Sequence, residues 1–304
     1  MKLSFVIPCY KSENTITLVC NELLEYISQN GYEYEIILVN DNSPDNVSSV
    51  LRELSINSNI KVIELAKNMG KHAALMAGFR FCNGDIVVCL DDDGQCPVDN
   101  LSELLKKLDE GYDVATAQYG VKAQSLFKNF GSYMNAIVMN SLIGKPKDLQ
   151  FSNFTVLRKF IVDEIVRYEN PYPYINGLIL RATKNIANVP MKERKRQLGK
   201  GNFTLKKSFS LWMNGFTAFS VKPLRLSFFI GIAILLISGM SLIADIIYSI
   251  VMSTINLLLL VALFMLLCIA LLFIIMGLLG EYIGRIYISI NNSPQYVIKN
   301  KINL

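Results

Sequence analysis

Five consecutive apolar residues, Ile86-Val87-Val88-Cys89-Leu90, run straight into Asp91-Asp92-Asp93-Gly94-Gln95. An unbroken apolar run of this length reads as a strand buried on both faces, as in parallel sheets covered by helices. The acidic cluster then sits just past the strand's carboxyl end, where open α/β sheets bind ligands. Three adjacent carboxylates repel one another, and a divalent cation is the usual way to offset that repulsion. Asp91, Asp93 and Gln95 alternate, so in an extended segment their oxygens face one way and suit Mg²⁺ or Mn²⁺. A solvated acidic turn capping the next helix is the competing reading, which the buried strand ahead of it disfavours.

The chain before and after this stretch repeats the same grammar. Leu3 to Ile7, Tyr34 to Val39, Ile60 to Leu65 and Val114 to Ala117 read as further strands. Helical patterns separate them: Ile16, Val19, Leu23, Leu24 and Ile27 share one face, and 71–83 and 98–110 follow. The Asn40 to Asp45 turn again places a carboxylate after a strand. This alternation predicts a parallel sheet with helices on both faces. There is no GxGxxG after the first strand and no GxxxxGK[ST], so a bound diphosphate has to be held by metal and basic side chains. Further on, 125–142 and 160–168 read as helices, 151–157 as a strand and Pro171 to Tyr174 as a turn. His72, the single histidine, reads as a satisfied surface residue at a helix start.

Apolar residues concentrate near the C-terminus. No residue between Arg225 and Asp245, and none between Asp245 and Glu281, is charged. Two such runs, broken by Ser253 to Asn256, predict a transmembrane helical hairpin. The expected organisation is a cytosolic catalytic domain over 1–202, a juxtamembrane interface helix over 203–225 with Trp212 at headgroup level, the hairpin over 226–282, and a cytosolic tail over 283–304. No signal-peptide pattern opens the chain. Lys206, Lys207, Lys222 and Arg225 before the hairpin and Arg285, Lys299 and Lys301 after it place both ends inside, as a multi-pass protein of the cytoplasmic membrane. The net charge of +5 is modest, with much of the excess between Arg181 and Arg225, and suits anionic lipid better than nucleic acid. The six cysteines form no CxxC pair and are expected as free thiols, without zinc.

The ordered set Val6 to Asn14, Val39 to Asp45 and Asp91 to Gln95 resembles the nucleotide-sugar motifs of family 2 glycosyltransferases with a GT-A fold. With Arg196-Gln197-Leu198-Gly199-Lys200-Gly201 and the C-terminal anchor, the chain is similar to the polyprenyl-phosphate glycosyltransferases, the group of dolichol-phosphate mannose synthase and bacterial undecaprenyl-phosphate sugar transferases. The resemblance implies an inverting, metal-dependent transfer of one sugar from a nucleoside diphosphate sugar, a UDP-sugar favoured, to a polyprenyl phosphate. It implies that Pro8, Tyr10, Glu13 and Asp41, with Asp91 and Asp92, line the donor. Asp91, Asp93 and Gln95 would hold Mg²⁺ or Mn²⁺, and Arg196 would clamp the phosphates, with Asp91, Asp93 and Arg196 carrying catalysis. Lys122, Lys128 and Ser132 would receive the acceptor's phosphate; the family often has arginines where Lys122 and Lys128 stand, and a serine at Gly201. A homo-oligomer is compatible with this reading. The alternatives are a transferase using another lipid or glycan acceptor, and a catalytically silent nucleotide-sugar-binding partner protein.

Overall fold

The computed structural model describes residues 1–120, 146, 148–194, 240, 257–290 and 294–304. Two compact units are present: Met1–Ser210 with Asn292–Leu304, and Leu211–Asn291. The first is built on an eight-stranded sheet, β1 (Lys2–Cys9), β2 (Glu33–Asn40), β3 (Ile60–Leu65), β4 (Ile86–Cys89), β5 (Val114–Tyr119), β6 (Thr155–Arg158), β7 (Ile186–Met191) and β8 (Ile298–Ile302), in the order β7-β5-β6-β4-β1-β2-β3-β8. Among the described residues the α-helices of this unit are α1 (Ile16–Asn30), α2 (Val47–Leu54), α3 (Lys71–Phe79), α4 (Leu101–Asp109), α5 (Lys159–Val166) and α6 (Ile175–Ala182).

The expected parallel α/β core is present: β1 pairs in parallel with β2 and β4, and β2 with β3. The sheet is nevertheless mixed, because β6 enters antiparallel between β4 and β5, and β8 pairs antiparallel with β3. Strand β6 overlaps the end of the stretch read as a strand, 151–157; α6 and β7 carry no periodicity strong enough to have announced them. Central strands are fully buried, as the unbroken apolar runs require, with Phe5, Ile7, Ile36, Leu38, Val62 and Val88 all inaccessible.

Helix α3 lies unusually close to the sheet. A Cβ on Gly78 would sit 2.4 Å from Val6 Cγ1 and 3.2 Å from Val39 Cγ2. Only a glycine permits that approach, and it fixes where the helix start, Lys71, is presented.

At the opposite end of the sheet, the nearly inaccessible Glu35 accepts hydrogen bonds from Ser4 Oγ at 2.5 Å, Asn83 N–H at 2.5 Å and Lys61 Nζ at 2.7 Å. Burial raises its carboxyl's pKa, but the bonds from Lys61, Ser4 and Asn83 outweigh that and leave it below the ordinary 4.5. A depressed carboxyl stabilises the fold above the unfolded value and loses that contribution as pH falls through the folded one. The melting temperature should therefore fall more steeply below pH 4.5 in wild type than in Glu35→Gln. Parallel melting curves across pH 3 to 5 would remove Glu35 from the acid response.

The last residues, read from sequence as a tail, belong to this sheet. Gln295 Nε2 donates to Tyr168 O at 2.6 Å and Asn170 O at 2.7 Å, and Asn303 Nδ2 to Ser55 O at 2.7 Å and Ile60 O at 2.9 Å. In the second unit, the backbone of α7 (Leu257–Ile290) is one helix of 34 residues. Its side chains are described only in part, and among the described residues no helix is long and apolar enough to cross a membrane. The expected first arm of the hairpin, its turn and the interface helix at 203–225 lie outside the described residues, apart from Met240.

Candidate active site

Strand order reverses at β1: the chain steps from β1 through β2 to β3 on one side, then returns to place β4 on the other. Pairing of β1 with β2 runs to Cys9↔Asn40, whereas pairing with β4 stops at Val6↔Cys89. The carboxyl ends of β1 and β4 therefore part, and such a switch point is where doubly wound sheets receive ligands. Pro8 lies beyond the last β4 partner, so its missing N–H interrupts no ladder there.

The acidic residues picked out from sequence meet around this opening, most of them engaged by a neighbouring loop. Asp92 accepts the Tyr10 N–H at 3.0 Å, across the gap between β4 and β1. Burial pushes its carboxyl up to about 6, against the pull of the Tyr10 N–H. Asp41, at 3% exposure, accepts the Met69 and Gly70 N–H groups at 2.7 and 2.8 Å. Its burial, too, outweighs those bonds and raises the pKa. Glu13 N–H donates to Asp45 at 3.1 Å while the Glu13 carboxylate accepts the Asn46 N–H at 2.9 Å, and Lys11 N–H donates to Ser43 Oγ at 2.7 Å. Several motif carboxylates thus hold the loops after β1, β2 and β3 in register before any ligand arrives.

Past β4 the chain turns instead of extending, with Gly94 at φ 73°. The alternating, same-facing geometry expected for Asp91, Asp93 and Gln95 is replaced by a tight acidic turn in which Gln95 N–H donates to Asp93 Oδ1 at 3.1 Å. Gln95 Nε2 points to Glu193 Oε1 at 3.2 Å and Arg194 O at 3.3 Å. Asp91 is ion-paired with Lys71 at the start of α3 and accepts from Asn153 Nδ2 at 2.5 Å. Two carboxylates and an amide carbonyl within five residues fit the oxygen preference of a hard divalent ion. The Lys71 ammonium now supplies the cationic partner of Asp91, and no group of three His, Cys, Asp or Glu among the described residues is arranged as a metal cluster. An ion here would need diphosphate oxygens and water to complete its shell.

Sequence reading missed Lys71, Asn153, Glu193 and Arg194. Lys71 had a usable signal, since it follows the β3 loop and opens a helix at the same sheet end; Asn153 and Glu193 had none. Arg194 N–H donates to Gln95 O at 3.1 Å, and its guanidinium pairs with Glu22 and Asp99, next to the segment that carries Arg196. Arg196, Lys122, Lys128 and Ser132 lie outside the described residues. His72, expected at the surface, has its Nδ1 buried without a partner among the described residues and meets Tyr174 edge-on at 5.3 Å. Burial first, then Lys71, depress its pKa to about 4, so the ring is neutral.

A mixed sheet with acidic loops gathered at the carboxyl ends of its parallel strands is the GT-A type of glycosyltransferase fold. Solved structures share it: mannosyl-3-phosphoglycerate synthase from Rubrobacter xylanophilus has a TM-score of 0.52 at 17% identity, covering 71% of each chain. Glucosyl-3-phosphoglycerate synthase from Mycobacterium tuberculosis, solved with Mn²⁺ and UDP-glucose, has a TM-score of 0.50 at 18% identity, covering 70% of this chain and 75% of that one. The chain belongs to glycosyl transferase family 2, whose sequence profile matches residues 4–165. Among its relatives is an undecaprenyl-phosphate 4-deoxy-4-formamido-L-arabinose transferase of Photorhabdus laumondii, 29% identical over 99% of this chain and 94% of the relative. CsbB of Bacillus subtilis, which also bears a glycosyltransferase name, is 30% identical over 98% of this chain and 91% of its own.

Proposed function

We propose that this glycosyltransferase moves one sugar, with inversion, from a nucleoside diphosphate sugar to a polyprenyl phosphate at the cytosolic face of the membrane. The observation that carries the reading is that the described strands before and after the apolar segment, β7 and β8, both belong to the catalytic sheet. Strand β7 ends at Met191, level with Tyr119 at the carboxyl end of β5, and β8 begins opposite Leu65 at the carboxyl end of β3. Met191 and Ile298, the strand ends nearest the apolar segment 226–282 along the chain, thus both lie at the sheet end that bears Asp91. Because the two flanking segments join one sheet, the chain between them crosses a membrane an even number of times, which agrees with the hairpin and with the Lys and Arg flanking it. The full-length similarity to undecaprenyl-phosphate transferases, which themselves act on a polyprenyl phosphate by name, supports the acceptor.

Within the reading, Pro8, Tyr10, Glu13 and Asp41 line the base and ribose, and Arg196 clamps the diphosphate as a bidentate donor. A divalent ion held by Asp91, Asp93 and Gln95 would neutralise charge building on the departing nucleoside diphosphate. Lys71 would release Asp91 to that ion and remain beside the phosphates as a second positive charge. An acceptor phosphate is already anionic near neutral pH and needs little help from a general base, which suits a site whose half-buried histidine is neutral and turned toward Tyr174. Positioning and leaving-group stabilisation then do most of the work.

The test is full-length protein in bilayers containing undecaprenyl phosphate, given radiolabelled UDP- and GDP-sugars one at a time. Label entering the lipid fraction as an acid-labile sugar phosphate supports the proposal. Label moving only to another glycolipid, or no sugar leaving any donor, would favour the two alternative readings respectively. In the same assay Lys128→Ala should raise the apparent KM for undecaprenyl phosphate about tenfold or more with donor KM unchanged, since one charge-assisted contact of roughly 1.5 to 3 kcal/mol is lost from one substrate. An unaltered lipid KM would move the acceptor site to other basic residues, Lys122 first.

A further inference from the structure

Tyr119 ends β5 at the carboxyl edge of the sheet, and its hydroxyl is buried without a hydrogen-bond partner among the described residues. Its ring packs on the hydrophobic core, so packing accounts for an aromatic side chain at this position. Packing does not account for the oxygen. Its nearest polar neighbour is the Cys96 thiol, a weak acceptor; burying a hydroxyl on so weak a partner is destabilising, and phenylalanine would fill the same space without that penalty. Burial first, and then the neighbouring Cys96, hold the phenol well above its usual range, with Glu193 and Asp91 adding to the effect. The group is therefore a neutral donor.

Strand order places it relative to the donor reading. Reading along the carboxyl edge in the order β2, β1, β4, β6, β5, the loops assigned to base and ribose follow β2 and β1, and the carboxylates assigned to the diphosphate follow β4. Tyr119 lies two strands further on the same line, about 10 Å past β4 at ordinary strand spacing. A nucleotide sugar laid with its base over β1 and β2 and its diphosphate at β4 carries its sugar toward β5. The Glu193 carboxylate, whose charge the phenol feels, suits sugar hydroxyls, which donate to it, better than it suits a second phosphate.

We propose that the Tyr119 hydroxyl donates a hydrogen bond to an oxygen of the transferred sugar, making it a residue that reads the sugar and not the nucleotide. This rests on the donor reading given above. The test compares Tyr119→Phe with wild type as full-length protein in bilayers, using the labelled nucleotide sugar that wild type transfers best, undecaprenyl phosphate, and the matching free nucleoside diphosphate. The expected result has three parts: kcat/KM for the nucleotide sugar falls tenfold or more, Kd for the free nucleoside diphosphate is unchanged, and the melting temperature without ligand is equal or higher. Any of four outcomes overturns it: unchanged kcat/KM, weakened binding of the free diphosphate, a defect confined to the KM for undecaprenyl phosphate, or a melting temperature several degrees lower. The last would mean that the hydroxyl bonds within the protein. A wild type that transfers no sugar from any donor defeats the parent reading, whereas a transferring wild type matched by Tyr119→Phe defeats this inference alone.

Discussion

Replacing Asp93 by Asn should lower turnover at least a hundredfold while leaving the fold intact, because the substitution keeps the shape of the turn but removes a charge where leaving-group charge is to be met. A hundredfold loss corresponds to about 3 kcal/mol in barrier. The Gln95 N–H that now donates to Asp93 Oδ1 at 3.1 Å can still donate to an amide oxygen, so the turn at Gly94 should survive. Steady-state kinetics with Mn²⁺ and with Mg²⁺, beside a melting curve, separate the two effects. Asp92→Asn should behave differently, since Asp92 holds the Tyr10 N–H across the gap between β4 and β1; its loss should appear mainly as weaker donor binding. Near-wild-type turnover in Asp93→Asn, or full activity of wild type in excess chelator, would sink the assignment of the acidic turn.

A chain ending at Asn291 should be unstable, even though it retains every motif residue. It would lose β8, whose register on β3 runs from Leu65↔Ile298 to Val62↔Ile302. It would also lose the two bonds from Gln295 to Tyr168 O and Asn170 O and the two from Asn303 to Ser55 O and Ile60 O. At about 1 kcal/mol net each, those four side-chain bonds alone amount to about 4 kcal/mol, a large share of the roughly 5 to 15 kcal/mol that stabilises a domain. The bared β3 edge would also invite strand addition between molecules. Hydrogen exchange at Val62 to Leu65 and the melting temperature, with Gln295→Ala as a milder variant, give the measurement. Unchanged protection and midpoint in the truncated chain would show that β8 is dispensable. The same result bears on preparing a soluble catalytic domain, because cutting ahead of the apolar segment removes a strand from the sheet.

The central strands were legible because burial on both faces demands uninterrupted apolar runs, and Ile86 to Leu90 is such a run. The carboxylates after β2 and β4 were legible for a related reason: a polar cluster directly after an apolar run marks the strand's end. What the acids do there was not legible. Asp41 and Glu13, read from sequence as groups lining the donor, turn out also to bind the backbone of loops 28 and 33 residues away in the chain. Such pairings are made by topology and leave no local spacing to read.

Order and composition of the chain by itself determined the α/β core, the acidic cluster after β4, the apolar C-terminal runs and the family resemblance, because each depends on residues adjacent in sequence. Tertiary structure alone decided the mixed sheet, the return of Ile298–Ile302 as an edge strand, the Lys71–Asp91 pair and the burial of the Tyr119 hydroxyl. Asp91 and Asn153 are 62 residues apart, and Gln95 and Glu193 are 98 apart. Hydrogen bonds over such separations form only once strand order has brought the loops together, and strand order is set by the packing of the whole sheet.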